Sequence, residues 1–119
     1  GVAAMCRAWP RARWLVALHH HVVEYPRPVP TLSARIGTVL INGSWFVRQL
    51  RPAADRVVVA HGHRHLDWIG TAAGVRVVSA PSPVMTPRDQ AGHLNILTLA
   101  ARTDGGLELA MPERLTVGH

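Results

Sequence analysis

Two short aliphatic runs, each leading into a cluster of histidines, constrain this chain more than any other feature. The first, RWLVAL at 13–18, is followed by His19, His20 and His21. The second, RVVVA at 56–60, leads into His61, Gly62, His63, Arg64 and His65. Consecutive apolar residues without polar alternation are the pattern of a strand buried on both faces, as in a parallel sheet. Between the runs, Pro26, Pro28 and Pro30 alternate with other residues and impose an extended connection. Thr31 can then cap a helix. Leu32, Ile36, Val39, Leu40, Phe46 and Leu50 follow at helical spacing, and Asn42, Gly43 and Ser44 interrupt them. Two short helices or one kinked helix are expected. Strand, helix, strand is a parallel unit with its crossover. Ligands of such sheets gather beyond the carboxyl ends of the strands, where both histidine clusters stand.

Further along, VRVVSA at 75–80 reads as a third strand after a turn region from Gly70 to Gly74. LNILTLA at 94–100 reads as a fourth. Asp104, Gly105 and Gly106 signal a hairpin, with Leu107 to Met111 pairing back as a fifth strand. The fold class is therefore α/β. A chain of 119 residues makes one compact domain, and at 48% apolar but 5% aromatic its core must come from Val, Leu, Ile and Ala. Trp45 and Phe46, at the start of a helix, read as core. No apolar stretch approaches the ~18 residues of a membrane span, and the opening residues lack the apolar run of a secretory signal. The chain opens at Gly1 in what reads as the tail of a helix, so a piece of a longer protein is expected. The lone Cys6 has no partner for an internal disulfide, which suits a reducing, cytoplasmic setting.

The formal charge is +6, and all thirteen basic residues are Arg. They are scattered, form no tract and have no aromatic stacking pattern beside them, which disfavours a dedicated nucleic-acid-binding module. The eight histidines are more telling. Neutral imidazole binds zinc, iron and manganese, and Gly62 gives the backbone freedom to turn between His61 and His63. A triple histidine alone is commonly a surface feature, and an isolated His-x-His is commonly structural. Two clusters, each at the end of an apolar strand, together favour a metal site. His93 and His119 lack that context and read as solvent-facing or locally hydrogen-bonded. Ser79 and Ser82 have no Ser–His–acid arrangement around them and read as turn or strand-end residues.

The residues 14–21 (WLVALHHH) resemble the strand of calcineurin-like metallophosphoesterases that ends in a His-His pair. The residues 57–65 (VVVAHGHRH) resemble that family's strand ending in Gly-His-x-His, and 74–82 (GVRVVSAPS) its next strand and Pro-Ser ending. Order and separation match, and the resemblance covers nearly the whole chain. It implies an α/β sandwich of two sheets flanked by helices, with residues 1–119 forming the C-terminal portion of a single domain. It further implies hydrolysis of phosphoric esters, diester or monoester, by hydroxide activated at two divalent metal ions (Mn, Fe or Zn). His19 and His63 would help hold one metal and His65 the other. His20 would stand beside the site. Arg64, between two of these ligands, is a candidate contact for substrate phosphate, with a side chain directed away from the ligands as the alternative. His21 stands where relatives often place Pro.

The family's Asp-x-His, Gly-Asp and Gly-Asn-His-Asp/Glu motifs, with the bridging carboxylate, an Asn ligand and the catalytic histidine, do not occur in this sequence. No catalytic residue is assigned here for that reason, and these residues alone should be inactive or nearly so. The implied partners are a small phosphorylated substrate and an N-terminal half of the same domain, with nucleic acid only as a substrate. Asp67 and Glu24 read as structural or solvated rather than as replacement carboxylates. The alternative reading is a non-catalytic or decayed metal-binding fragment. A half-sandwich should also leave an apolar face uncovered, and self-association is expected from it.

Overall fold

The computed structural model describes residues 1–19, 43–62, 68–83 and 92–117. Its central element is a four-stranded mixed sheet of β1 (Trp14–Leu18), β2 (Val57–His61), β3 (Trp68–Ala72) and β4 (Val75–Ser79), in the order β1-β2-β4-β3. β1, β2 and β4 are parallel, and β3 is antiparallel to β4. The aliphatic run of β2 is central, and Val57, Val58 and Val59 are all fully buried. This is the outcome expected of a continuous apolar run in a parallel sheet.

Two short helices cover one face of the sheet. In α1 (Val2–Ala8) Cys6 is the buried residue, and in α2 (Gly43–Leu50) Gly43, Val47 and Leu50 recur at i, i+4 and i+7 on the inward side. Pro52 then ends the α-helical geometry, because its ring clashes with the carbonyl four residues back. A 3₁₀ segment, Arg51–Arg56, leads into β2. Cys6, Val47, Leu50 and Ala53 pack with Val57, Val59, Val75 and Val77 in the main core, flanked by Trp14, Val16, Leu18 and Trp68. The part of the helix expected before Gly43 lies outside the described residues. Phe46 packs against this core, but Trp45 is 63% exposed, contrary to its reading as core.

The opposite face is covered at its centre by a hairpin of β6 (Leu99–Ala101) and β7 (Leu107–Leu109). Leu107 packs there on Val58 and Val78. The expected fourth strand is thus divided. β5 (His93–Ile96) pairs instead with β8 (Glu113–Thr116), which sequence patterning did not reveal. Leu97 turns inward between the two pieces to pack with the second core. His93 opens β5 half-buried. The hairpin at Asp104 to Gly106 forms as expected, with Ala101 paired to Leu107 across it. β3 was also missed. Gly70 lies inside it, and the turn is only Ala73-Gly74, both at positive φ (51° and 80°) between the paired Ala72 and Val75.

Candidate metal centre

Because β1, β2 and β4 are parallel, their carboxyl ends share one edge. Leu18 pairs with His61, His61 with Ser79, and Ser79 with Trp68, giving one row across all four strands at that edge. The ladder continues beyond the strands. The Gly62 N–H donates to the His19 carbonyl at 3.2 Å, and the Ala80 N–H donates to the His61 carbonyl at 2.8 Å. The backbone of exposed His19 is therefore held beside Gly62, the residue directly before His63 in the sequence.

His61 is the last residue of β2 and is only 3% exposed, so it belongs to the strand and not to the turn after it. Strand alternation places it on the same face as Val57 and Val59. That parity was available in the sequence and was obscured by grouping His61 with His63 and His65. Burial pushes the His61 imidazole below its ordinary pKa, and a hydrogen bond with the Gly62 backbone opposes this. The ring is neutral at pH 7, the form in which imidazole accepts a hydrogen bond or binds a metal. Ser79, the last residue of β4, and Ser82, just beyond it, are both buried.

Of the sequence-derived site residues, His19 lies within the described structure, while His20, His63, Arg64 and His65 lie outside the described residues, as do Asp67 and Glu24. The chain leaves β2 through Gly62 and enters β3 at Trp68, which is paired to Ser79 on the same edge. Gly62 and Trp68, the described residues on either side of 63–67, both stand at this edge. Among the described residues no group of three His, Cys, Asp or Glu side chains gathers to hold a metal. The donors that the edge does present fit one in kind. Exposed His19 supplies one imidazole, on backbone held by the Gly62 N–H. Among the described helices, none is long and apolar enough to cross a membrane.

Comparison of the chain with protein-family models, with curated proteins and with solved structures found no match.

Proposed function

We propose that this chain supplies the histidine half of a two-metal phosphoric ester hydrolase site of the calcineurin-like kind, built on half of that family's sandwich. The observation that carries the reading is the hydrogen bond from the Gly62 N–H to the His19 carbonyl. It joins two candidate ligand segments that are far apart in sequence, at the sheet edge where parallel strands place ligands. In this reading His19 and His63 hold one metal and His65 the other, His20 orients a neighbour, and Arg64 binds the phosphate of the substrate. When bound, two such metals polarise the phosphoryl oxygens and lower the pKa of the attacking water. The work of the chain is positional. The ladder fixes the backbone of His19 beside Gly62, and neutral imidazoles leave the metals' positive charge for the substrate. The bridging carboxylate and the group that protonates the leaving oxygen come, in this proposal, from polypeptide outside this sequence.

A metal-binding domain without catalysis is the second reading, favoured by the absence of the three carboxylate-bearing motifs from the sequence. A basic nucleic-acid module is less well supported, since Arg13, Arg56 and Arg76 direct their guanidinium groups at backbone carbonyls of the chain itself.

Two measurements together test the proposal. Binding of Mn²⁺ and Zn²⁺ by the 119-residue chain should weaken on His19→Ala, His63→Ala or His65→Ala. Hydrolysis of bis(p-nitrophenyl) phosphate by a polypeptide extended with its upstream coding sequence should be metal-dependent. It should fall roughly a hundredfold or more in His63→Ala. Metal binding without hydrolysis selects the second reading, and metal binding indifferent to all three histidines removes both.

A further inference from the structure

Apart from Arg102, which pairs with Asp104, and Arg114, the described arginines divide into two sets. Arg13 donates to the carbonyls of Gly106 and Arg102, Arg56 to those of Cys6, Trp9 and Ala12, and Arg76 to that of Leu107. These groups are consumed in tying elements together. Arg7, Arg11, Arg48 and Arg51 are exposed, and among the described residues their guanidinium groups have no hydrogen-bond or ion-pair partner. Arg7 lies on α1, Arg48 on α2 and Arg51 directly after it, and Arg11 follows α1 by three residues; the two helices adjoin and form the outer layer on one face of the sheet. Neither helix contains a carboxylate.

The same layer carries the most exposed aromatic residues of the described structure. Trp9 is 64% exposed, Trp45 is 63% exposed, and Met5 on α1 is 50% exposed. Trp45 and Arg48 are three residues apart in α2 and share its outward side. Large apolar side chains held in water are costly unless something covers them. Here they share a helical layer with arginines that have no partner among the described residues, a combination matched by a surface both apolar and anionic.

We propose that the α1–α2 layer docks peripherally on an anionic phospholipid bilayer. Trp9 and Trp45 would insert at the level of the headgroups, and Arg7, Arg11, Arg48 and Arg51 would contact lipid phosphates. Tryptophan is suited to that depth because its ring is apolar and its N–H is polar. A single-stranded nucleic acid would match the charge and could stack on the indoles. It offers no counterpart for Met5, however, and it is bound by charged grooves rather than by an outward helical layer.

The test uses the 119-residue chain with vesicles of phosphatidylcholine alone and of phosphatidylcholine mixed with phosphatidylglycerol. Flotation should recover the chain with the anionic vesicles, with a blue shift in tryptophan emission, and recovery should fall as salt is raised. Arg48→Gln and Arg51→Gln should each weaken partitioning about fivefold. Trp9→Ser with Trp45→Ser should abolish the blue shift while leaving the thermal midpoint unchanged, since both side chains face outward. Equal recovery with both vesicle types, or none with either, would overturn the proposal. Binding of a single-stranded oligonucleotide without binding of anionic vesicles would assign the layer to nucleic acid. A dimer that dissociates in the double tryptophan variant, again without vesicle binding, would assign it to a second copy of the chain.

Discussion

Arg56 shows how much a single side chain can organise here. Its guanidinium reaches the carbonyls of Cys6 at 2.7 Å, Ala12 at 2.9 Å and Trp9 at 3.2 Å. It thereby places positive charge on the carbonyls at the C-terminal end of α1, where the helix leaves acceptors without internal partners. Arg56→Ala should cost about 2–3 kcal/mol in urea unfolding. Arg56→Lys should recover less than half of that, because an ammonium cannot span three carbonyls as a planar fork does. Equal stability of wild type and Arg56→Ala would mean that water serves those carbonyls as well. Asp104 acts similarly at the β6–β7 turn, where it accepts from the Gly106 N–H at 2.9 Å and pairs with Arg102 at 2.6 Å. The Gly106 bond, then the Arg102 charge, hold its carboxyl below the ordinary value of 3.8. A carboxylate with a depressed folded pKa contributes stability above its unfolded value and loses it as pH falls through the folded one. The thermal midpoint of Asp104→Ala should therefore lie below wild type at pH 6, and the gap should close as pH falls below 3.8. A gap that persists undiminished to the acid limit would show that the charge contributes nothing.

At the scale of elements, the β3–β4 hairpin is the informative case. Ala73 and Gly74 both have positive φ, the requirement of the two-residue turn that matches the twist of its strands. A Cβ at Gly74 would meet no neighbour, so any penalty there is purely conformational. Gly74→Ala should destabilise by about 1 kcal/mol. Ala73→Asn should stabilise by roughly 0.5–1 kcal/mol, because Asn tolerates the left-handed region better than Ala. Chemical denaturation of the two variants checks both signs, and a neutral Ala73→Asn would indicate that the turn is held by its strands. Gly70, within β3, has a different role. A Cβ at that position would collide with the ring of Trp68, so the glycine makes room for an indole lying along its own strand.

At the scale of the molecule, the two sheet faces are finished unequally. The helix-covered face is closed over Val57, Val59, Val75 and Val77. On the other face the β6–β7 hairpin covers the centre, while Leu15 on β1 stays 53% exposed and Ile69 on β3 stays 41% exposed. Leu94, Ile96 and Leu115 add an exposed apolar side to the β5–β8 ribbon, with Leu94 and Leu115 directly paired. β1 ends the order of the described sheet, and its five residues include no charge and no proline to discourage pairing with another strand. The chain should self-associate as its concentration rises, and Leu15→Lys should shift sedimentation toward the monomer. A wild type that sediments as one monomeric species throughout the micromolar range would contradict this.

The amino-acid sequence by itself determined the parallel pair β1–β2, the third strand β4 and the Asp104 hairpin. In each, the signal is local: a continuous aliphatic run, or a turn dipeptide between apolar segments. It also located His19 and the entry to the second histidine cluster at strand ends, because the apolar runs stop there. The tertiary structure alone decided the rest. β3 is invisible locally because Gly70 carries no side chain to show alternation, and its strand character comes from pairing with β4. The division of 94–100 depends on which partner each half meets, β8 or β7. The burial of His61 depends on the strands and helix-side core that surround it, and the fate of each arginine on which carbonyls lie within reach. Positions set by neighbours distant in sequence leave no local pattern, and most of the chemistry at this sheet edge is of that kind.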